Sequence, residues 1–474
     1  MTGTIHQPTK KELHGAALGW ALAAFCMGLA IDANDGSYSR MAIIWLALAG
    51  IISVAAVAVP SIPSIEHLAR RVLTAVLLVG ICLQASMLLD ETHADPTVIT
   101  GLLLVTVLGI LQALAPPRLR LPLRVIMVIA FACVAIRQFQ HFGFPGIDVY
   151  VFQMKGSAVL AHGQNPYVPS VVRYPNVYPT KWAMRFYGPG VVDKDNNLTY
   201  GFPYPPLSLL MDLPSYLFGS HIIDFRNLDW GGDIRYSLAI AMALSAGLMA
   251  AARPGRWGPL AAALFLLTPR SLYVVDLAWT EPLLTLNFSV VMFCACRWRK
   301  MLPYALGLYF ATKQYTVLSL PALLLLVDGP NQWRDLWRML WRAGAVVAVI
   351  TIPFFLWNPW EFTRAVVLWQ LVQPFRADAL SFLVLIYNHN GFHRPPIWTP
   401  FVVIIPAALL AVWRGARSPA GFAAGVTLIN LAFFAFNKQA FCNYYYFVMA
   451  SSCWVVAATQ PPVSSQKPHL AVQV

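Results

Sequence analysis

Four residues far apart in the chain, Asp148, Lys313, Arg376 and Lys438, are of types that do chemistry, and each stands against apolar surroundings. Asp148 lies in "FPGIDVYVFQ", Phe144 to Gln153, with no cation beside it in sequence. Lys313 interrupts the apolar run "MLPYALGLYFATKQYTVLSLPALLLLVDG", Arg376 sits in "QPFRADALSF" and Lys438 in "NKQAFCN". A charge held at the membrane boundary costs up to about a few kcal/mol, so such a residue is a functional candidate by default. A single carboxylate can accept the proton of a hydroxyl. Lysine and arginine can hold a phosphate that departs, and a phosphate, being a weak base, needs no second carboxylate as acid.

The elements that must position these groups are membrane helices. Of 474 residues, 58% are apolar and only 11% charged, far from the roughly 25% charged of soluble domains. The net charge of +13 does not indicate nucleic acid, because the basic residues fall in short clusters between apolar runs rather than on one polar domain. The seven cysteines lie nearly all inside apolar runs, with no metal or disulfide spacing. Lys10 and Lys11 before an apolar run could mark a signal peptide, but more membrane follows, so the run reads as a retained first helix.

Runs long enough to cross about 30 Å of hydrocarbon cover Gly15 to Ile31, Met41 to Val59, Val72 to Leu89, Thr97 to Ala115 and Pro122 to Ile136. Arg70 and Arg71, and then Arg118, Arg120 and Arg124, mark the second and fourth loops as cytoplasmic, which puts the loop from Arg137 to Pro205, with Asp148, outside. "RPGR" and "RWRK" mark further cytoplasmic loops, and the apolar run around Lys313 reads as a hairpin of two short helices with Lys313 at its outer tip. Trp333, Trp337 and Trp341, with Arg334, Arg338 and Arg342 beside them, have the pattern of an interfacial helix on an anionic leaflet. "YPPLSLLMDLPSYLFG" reads as re-entrant or surface-lying. The expectation is an all-α, polytopic integral membrane protein of about 13–14 transmembrane helices with a large extracytoplasmic loop. It divides into an N-terminal block of about five helices (1–136), an extracytoplasmic catalytic loop (137–235), a C-terminal transmembrane core (236–459) and a cytoplasmic tail (460–474).

This topology gathers one carboxylate and several cations at the outer boundary, together with Asp276 and Glu281. The chemistry it suggests is transfer of a sugar from a polyprenyl-phosphate donor to an acceptor hydroxyl, at a site that opens to the bilayer because the donor carries a lipid tail. Plainer roles stand beside this one. Asp148 could cap the next helix, Lys313 could snorkel to the interface, Arg376 and Lys438 could be solvated loop charges, and Arg173, Lys181, Arg185 and Lys194 could decorate a long loop.

The segment "GIDVYVFQMKGSAVLAHGQNPYVP" resembles the first-loop signature of the GT-C membrane glycosyltransferases, an Asp after a helix followed by a Gly-x-Asn-Pro-Tyr turn, here Gly163, Asn165, Pro166 and Tyr167. "YPPL" at Tyr204, "EP" at Glu281, the Lys of "TKQY", "FRADALS" and "KQAFCNYY" are similar to further blocks of the group, nearest to glycosyltransferase family 87, the bacterial polyprenyl-phosphate-mannose-dependent α-mannosyltransferases. The resemblance runs from Arg137 to about Ala458. It implies a GT-C-like fold in a bacterial plasma membrane, with Asp148 as catalytic base and Lys313, Arg376 and Lys438 holding donor phosphate. Asn165, Tyr167, Tyr204, Asp276 and Glu281 would line the site, with no cofactor. The absence of a second acid beside Asp148 argues against a required metal. Mannose is the favoured sugar, and the acceptor is a lipid, glycan or protein. Four apparent extra helices precede the one that leads into the acid, a departure from the family pattern. The alternative reading is a multi-pass transporter or flippase of lipid-linked sugars, which would place its ionisable groups near the midplane and often in two repeats.

Overall fold

The computed structural model describes residues 14–59, 66–91, 95–219, 231–396 and 398–459. Among them there is no strand, only three isolated bridges, and the architecture is that of a polytopic helical membrane protein. The N-terminal block is α1 (His14–Asp32), α2 (Arg40–Ala58), α3 (Glu66–Glu91), α4 (Pro96–Leu114) and α5 (Pro117–Phe142). Ser39 and Asp95 cap α2 and α4 by accepting from the Ala42 and Thr97 amides, and proline stands in the first turns of α4 and α5, where its missing N–H costs nothing. Helix α5 begins five residues before the expected Pro122 and carries Pro122 inside it, so Arg118, Arg120 and Arg124 belong to its first turns rather than to a loop.

A connecting region follows with short helices α6 (Asp148–Ala161), α7 (Pro169–Val172), α8 (Thr180–Tyr187) and α9 (Pro206–Phe218). Then come α10 (Arg235–Ala251), α11 (Trp257–Leu266), α12 (Ser271–Asp276), α13 (Glu281–Arg297) and α14 (Leu302–Thr312). The segment from Gln314 to Leu326 is a 3-10 helix. Lys313, in extended conformation between α14 and this helix, is the tip of the expected hairpin, and Arg299 at the other end donates to the Leu326 carbonyl. Helix α15 (Gln332–Trp357) is one continuous element instead of an interfacial helix followed by a spanning one. At 1.5 Å per residue its 26 residues reach about 39 Å, more than a bilayer's hydrocarbon, so the exposed Trp333, Trp337 and Trp341 extend past it. Past α16 (Pro359–Thr363), a π-helical turn at Arg364–Leu368 and α17 (Trp369–Val372), the described chain closes with α18 (Phe382–His389), α19 (Thr399–Arg414), α20 (Pro419–Ala435) and α21 (Cys442–Ala458).

Among the described residues, α2, α3, α4, α5 and α15 are long and apolar enough to cross a membrane, and six shorter apolar helices accompany them. Their outward faces carry exposed Leu, Ile, Val and Phe side chains, as expected of surface that meets lipid. Helix α21 is buried along its length and packs against α1, α11, α13 and α20, while α11 also meets α3 and α4. The N-terminal helices are therefore packed into the same body as the C-terminal ones. A second, aromatic core under the connecting region joins Phe152, Tyr167, Tyr174, Phe202 and Trp369. The N-terminal residues 1–13, part of the connecting loop (220–230) and the tail expected at 460–474 lie outside the described residues.

Candidate active site

A cavity of about 530 Å³ opens where the connecting region, the tip of the α14 hairpin and the loops before α18 and α21 meet. That volume suits a substrate-sized ligand. Its wall includes Asp148, Tyr204, Lys313, Arg376 and Lys438, five residues singled out from the sequence and spread over 290 positions of chain.

Asp148 is the first residue of α6 and follows a turn in which Gly143 and Gly146 have φ of +73° and +62°, a conformation glycine adopts without strain. Its carboxylate accepts from the next amide, Val149, at 2.8 Å and from the Tyr178 hydroxyl at 3.4 Å, so it does not cap the helix through the usual second or third amide. The Tyr187 hydroxyl lies near the same carboxylate without closing a hydrogen bond of ordinary geometry. Burial pushes the Asp148 carboxyl above the ordinary carboxylate range; the Val149 amide, the two tyrosines and the Arg376 guanidinium offset part of that rise. The turn is held from below. Arg235, wholly buried, donates to the Gly143 carbonyl at 2.9 Å and pairs in fork geometry with Asp233, and Asp233 accepts from Tyr150 in the first turn of α6 at 3.2 Å.

Lys313 forms a buried ion pair with Glu281, the first residue of α13, and donates to the Thr280 hydroxyl at 2.8 Å. The rings of Tyr204, Tyr315 and Tyr444 surround its ammonium at 5.2–5.6 Å, a cage that favours a cation. Arg376 donates to both oxygens of Asp378, at 2.9 and 2.7 Å, and stacks between Phe186 and Phe441. Burial would raise the Asp378 carboxyl, but the bonds and charge of Arg376, with Arg185 3.6 Å away, hold it below the usual range. Lys438 donates to three carbonyls, those of Gln370, Leu371 and Gln373, and so closes the C-terminal end of α17. Backbone bonds from Arg376 to Lys438 and from Leu380 to Ala440 fasten the two loops together.

The other expected site residues stand behind the wall. Asn165 accepts from the Tyr167 amide in a local turn, and Tyr167 is buried in the aromatic core, donating to the Tyr204 carbonyl at 3.0 Å. Asp276 accepts from Gln138 of α5 at 3.0 Å. Glu281 acts through Lys313. The cavity also takes Tyr178, Tyr187, Gln314, Asp378, Asn443 and Tyr444, none of which was singled out from the sequence, and Asp35 and Ser37 from the loop between α1 and α2. Tyrosine and asparagine are common in membrane-boundary loops, so no local signal marked them.

No family model matches the chain, and no curated protein does. A solved structure, the crystal structure of ArnT from Cupriavidus metallidurans bound to undecaprenyl phosphate, is similar with a TM-score of 0.42 and 19% identity. The similarity covers 70% of this chain and 59% of that one, less than two thirds of the other protein's length. A likeness of that degree carries no weight for function, which rests on the site itself.

Proposed function

We propose that the chain is a membrane glycosyltransferase of GT-C type that moves a sugar, mannose being favoured, from a polyprenyl-phosphate donor to an acceptor hydroxyl on the extracytoplasmic face of a bacterial plasma membrane. The observation that carries this reading is the half-buried carboxylate of Asp148, which no described cation pairs, on the wall of a cavity that it shares with Lys313, Arg376 and Lys438. The order of sequence blocks that resemble family 87 supports it from another side.

In this mechanism Asp148 takes the proton of the acceptor hydroxyl while that oxygen bonds to the anomeric carbon. The bond from the anomeric carbon to the phosphate oxygen breaks, and its electron pair leaves with the polyprenyl phosphate. Burial gives Asp148 the raised proton affinity that a base working near neutral pH needs. Arg376 and Lys313 meet the charge that grows on the leaving phosphate, and Lys438 adds its charge from the loop it fastens. Apolar wall residues such as Val317 and Phe401, both exposed, let the donor's chain leave toward lipid.

Asp148→Asn keeps the size and a hydrogen-bonding oxygen but cannot take the proton. Transfer from radiolabelled polyprenyl-phosphate mannose should fall by roughly a hundredfold to ten-thousandfold, while donor binding by the same purified variant persists. An active Asp148→Asn protein would remove Asp148 as the base.

A further inference from the structure

One arm of the cavity wall is built from opposite ends of the chain. The loop between α1 and α2 supplies Asp35 and Ser37, α12 supplies Tyr273 and the turn after it Trp279, and the start of α21 supplies Asn443. The loop reaches there by close approach. Gly36, at φ +71°, lies so near Cys442 that an added Cβ would come within 2.4 Å of it. Ser37 bridges to Ala379, and the Tyr38 amide donates to the Asp378 carbonyl at 2.9 Å. Asp35 is ion-paired with Arg270. Asp35, Arg270 and Ala278 all hold left-handed backbone, at φ of +53°, +64° and +54°, a conformation that is strained for a non-glycine residue.

Apart from Asp35, the polar groups named on this arm are not spent within the protein. Asn443 is only 5% exposed, yet no described hydrogen bond engages its side-chain amide, and it faces the cavity. The Ser37 hydroxyl and the Trp279 indole N–H likewise have no described partner. The amide, facing the cavity with no described partner in the protein, is free to pair with a ligand there. Tyr273 and Trp279, edge to face at 5.6 Å, add apolar ring surface beside the carboxylate, hydroxyl and amide.

Aromatic surface next to a carboxylate, a hydroxyl and an amide is the chemistry that recognises a pyranose. One face of such a ring carries C–H groups that bury against an aromatic side chain, and its rim carries hydroxyls that both donate and accept. We infer that this arm is an acceptor subsite for the pyranose ring of a glycan, with Trp279 and Asn443 as its main contacts and the loop between α1 and α2 as its outer wall. The N-terminal helices are then part of acceptor recognition. The inference rests on the proposed transferase activity for its name, acceptor, but not for its binding chemistry.

Saturation-transfer NMR on the full purified chain, in a detergent without a sugar headgroup such as lauryldimethylamine oxide, tests it with methyl α-mannopyranoside, methyl α-glucopyranoside and methyl β-galactopyranoside as probes. At least one pyranoside should bind saturably, about tenfold more weakly to Asn443→Ala and to Trp279→Ala, and unchanged to Trp337→Ala, on the exposed face of α15 outside the cavity. Asn443→Asp, which keeps the size and one acceptor, should fall between. If no pyranoside binds, or if the Asn443 and Trp279 variants bind as the wild type does, the subsite is wrong. If binding follows the expected order but no sugar is transferred from any polyprenyl-phosphate donor, the subsite stands and the transferase reading fails.

Discussion

At the scale of the residue, the chemistry of the cavity depends on groups that act on one another. In the proposed mechanism transfer requires deprotonated Asp148, so activity should be present above that carboxyl's raised pKa and lost as pH falls through it. The Tyr178 hydroxyl is one of the groups that hold the pKa down. Tyr178→Phe should therefore raise it further and move the acid limb of the kcat/KM profile to higher pH; a limb that stays in place would detach Tyr178 from the base. Lys313 and Glu281 form a pair whose separation can be measured. Lys313→Met alone leaves a buried carboxylate unpaired, at a cost of about 3–5 kcal/mol, whereas replacing both residues with methionine should restore most of the Tm. Transfer should remain lost in both variants, and its recovery in the double variant would make the pair structural. Asp148, Lys313, Arg376 and Lys438 could be read from the sequence because a charge inside apolar surroundings stands out. Tyr178, Asn443 and Asp35 could not, because their types are ordinary in loops and helix starts and only tertiary packing brings them together.

At the scale of the element, the loops before α18 and α21 behave as one unit. Lys438 satisfies three carbonyls at the end of α17 and lies opposite the backbone bond that sets Arg376. Lys438→Met should speed amide hydrogen exchange across 373–380 and raise the donor KM, whereas Lys313→Met should leave that exchange as it was. Unchanged exchange in the Lys438 variant would mean that the loop is held by other contacts. The helices of the N-terminal block were legible as apolar runs, with the ends of α1, α2 and α4 placed to within one residue, but the ends of α3 and α5 were not legible. The arginines of α5 can lie inside the first turns of a helix because their long stems carry the charge back to water. The 3-10 form of Gln314–Leu326 was not legible either, since a stretch that is apolar on every side carries no phase to tell three residues per turn from 3.6. Joining α15 into one helix follows from the same indifference, for Trp and Arg continue a helix as readily as they lie on a membrane surface.

At the scale of the whole molecule, the side on which the cavity opens is open to direct test. In a cysteine-depleted protein, single cysteines at Asn196 and Ala377 should react with a membrane-impermeant maleimide from outside, and one at Arg299 should not. Labelling of Asn196 from the cytoplasmic side would overturn the proposed orientation. That the chain is a series of apolar helices was readable in outline because hydropathy governs it, whereas the docking of α1 on α21 has no sequence signature, being a contact between the two ends of the described chain. That contact has a consequence in time. A membrane protein is inserted as it is made, from its N-terminus onward, so Asp35 and Ser37 reach the bilayer hundreds of residues before Asn443 and Lys438 do. The cavity stays without its far wall until α21 is in place, and a chain interrupted between Asp148 and α21 carries the carboxylate but no finished chamber in which to use it.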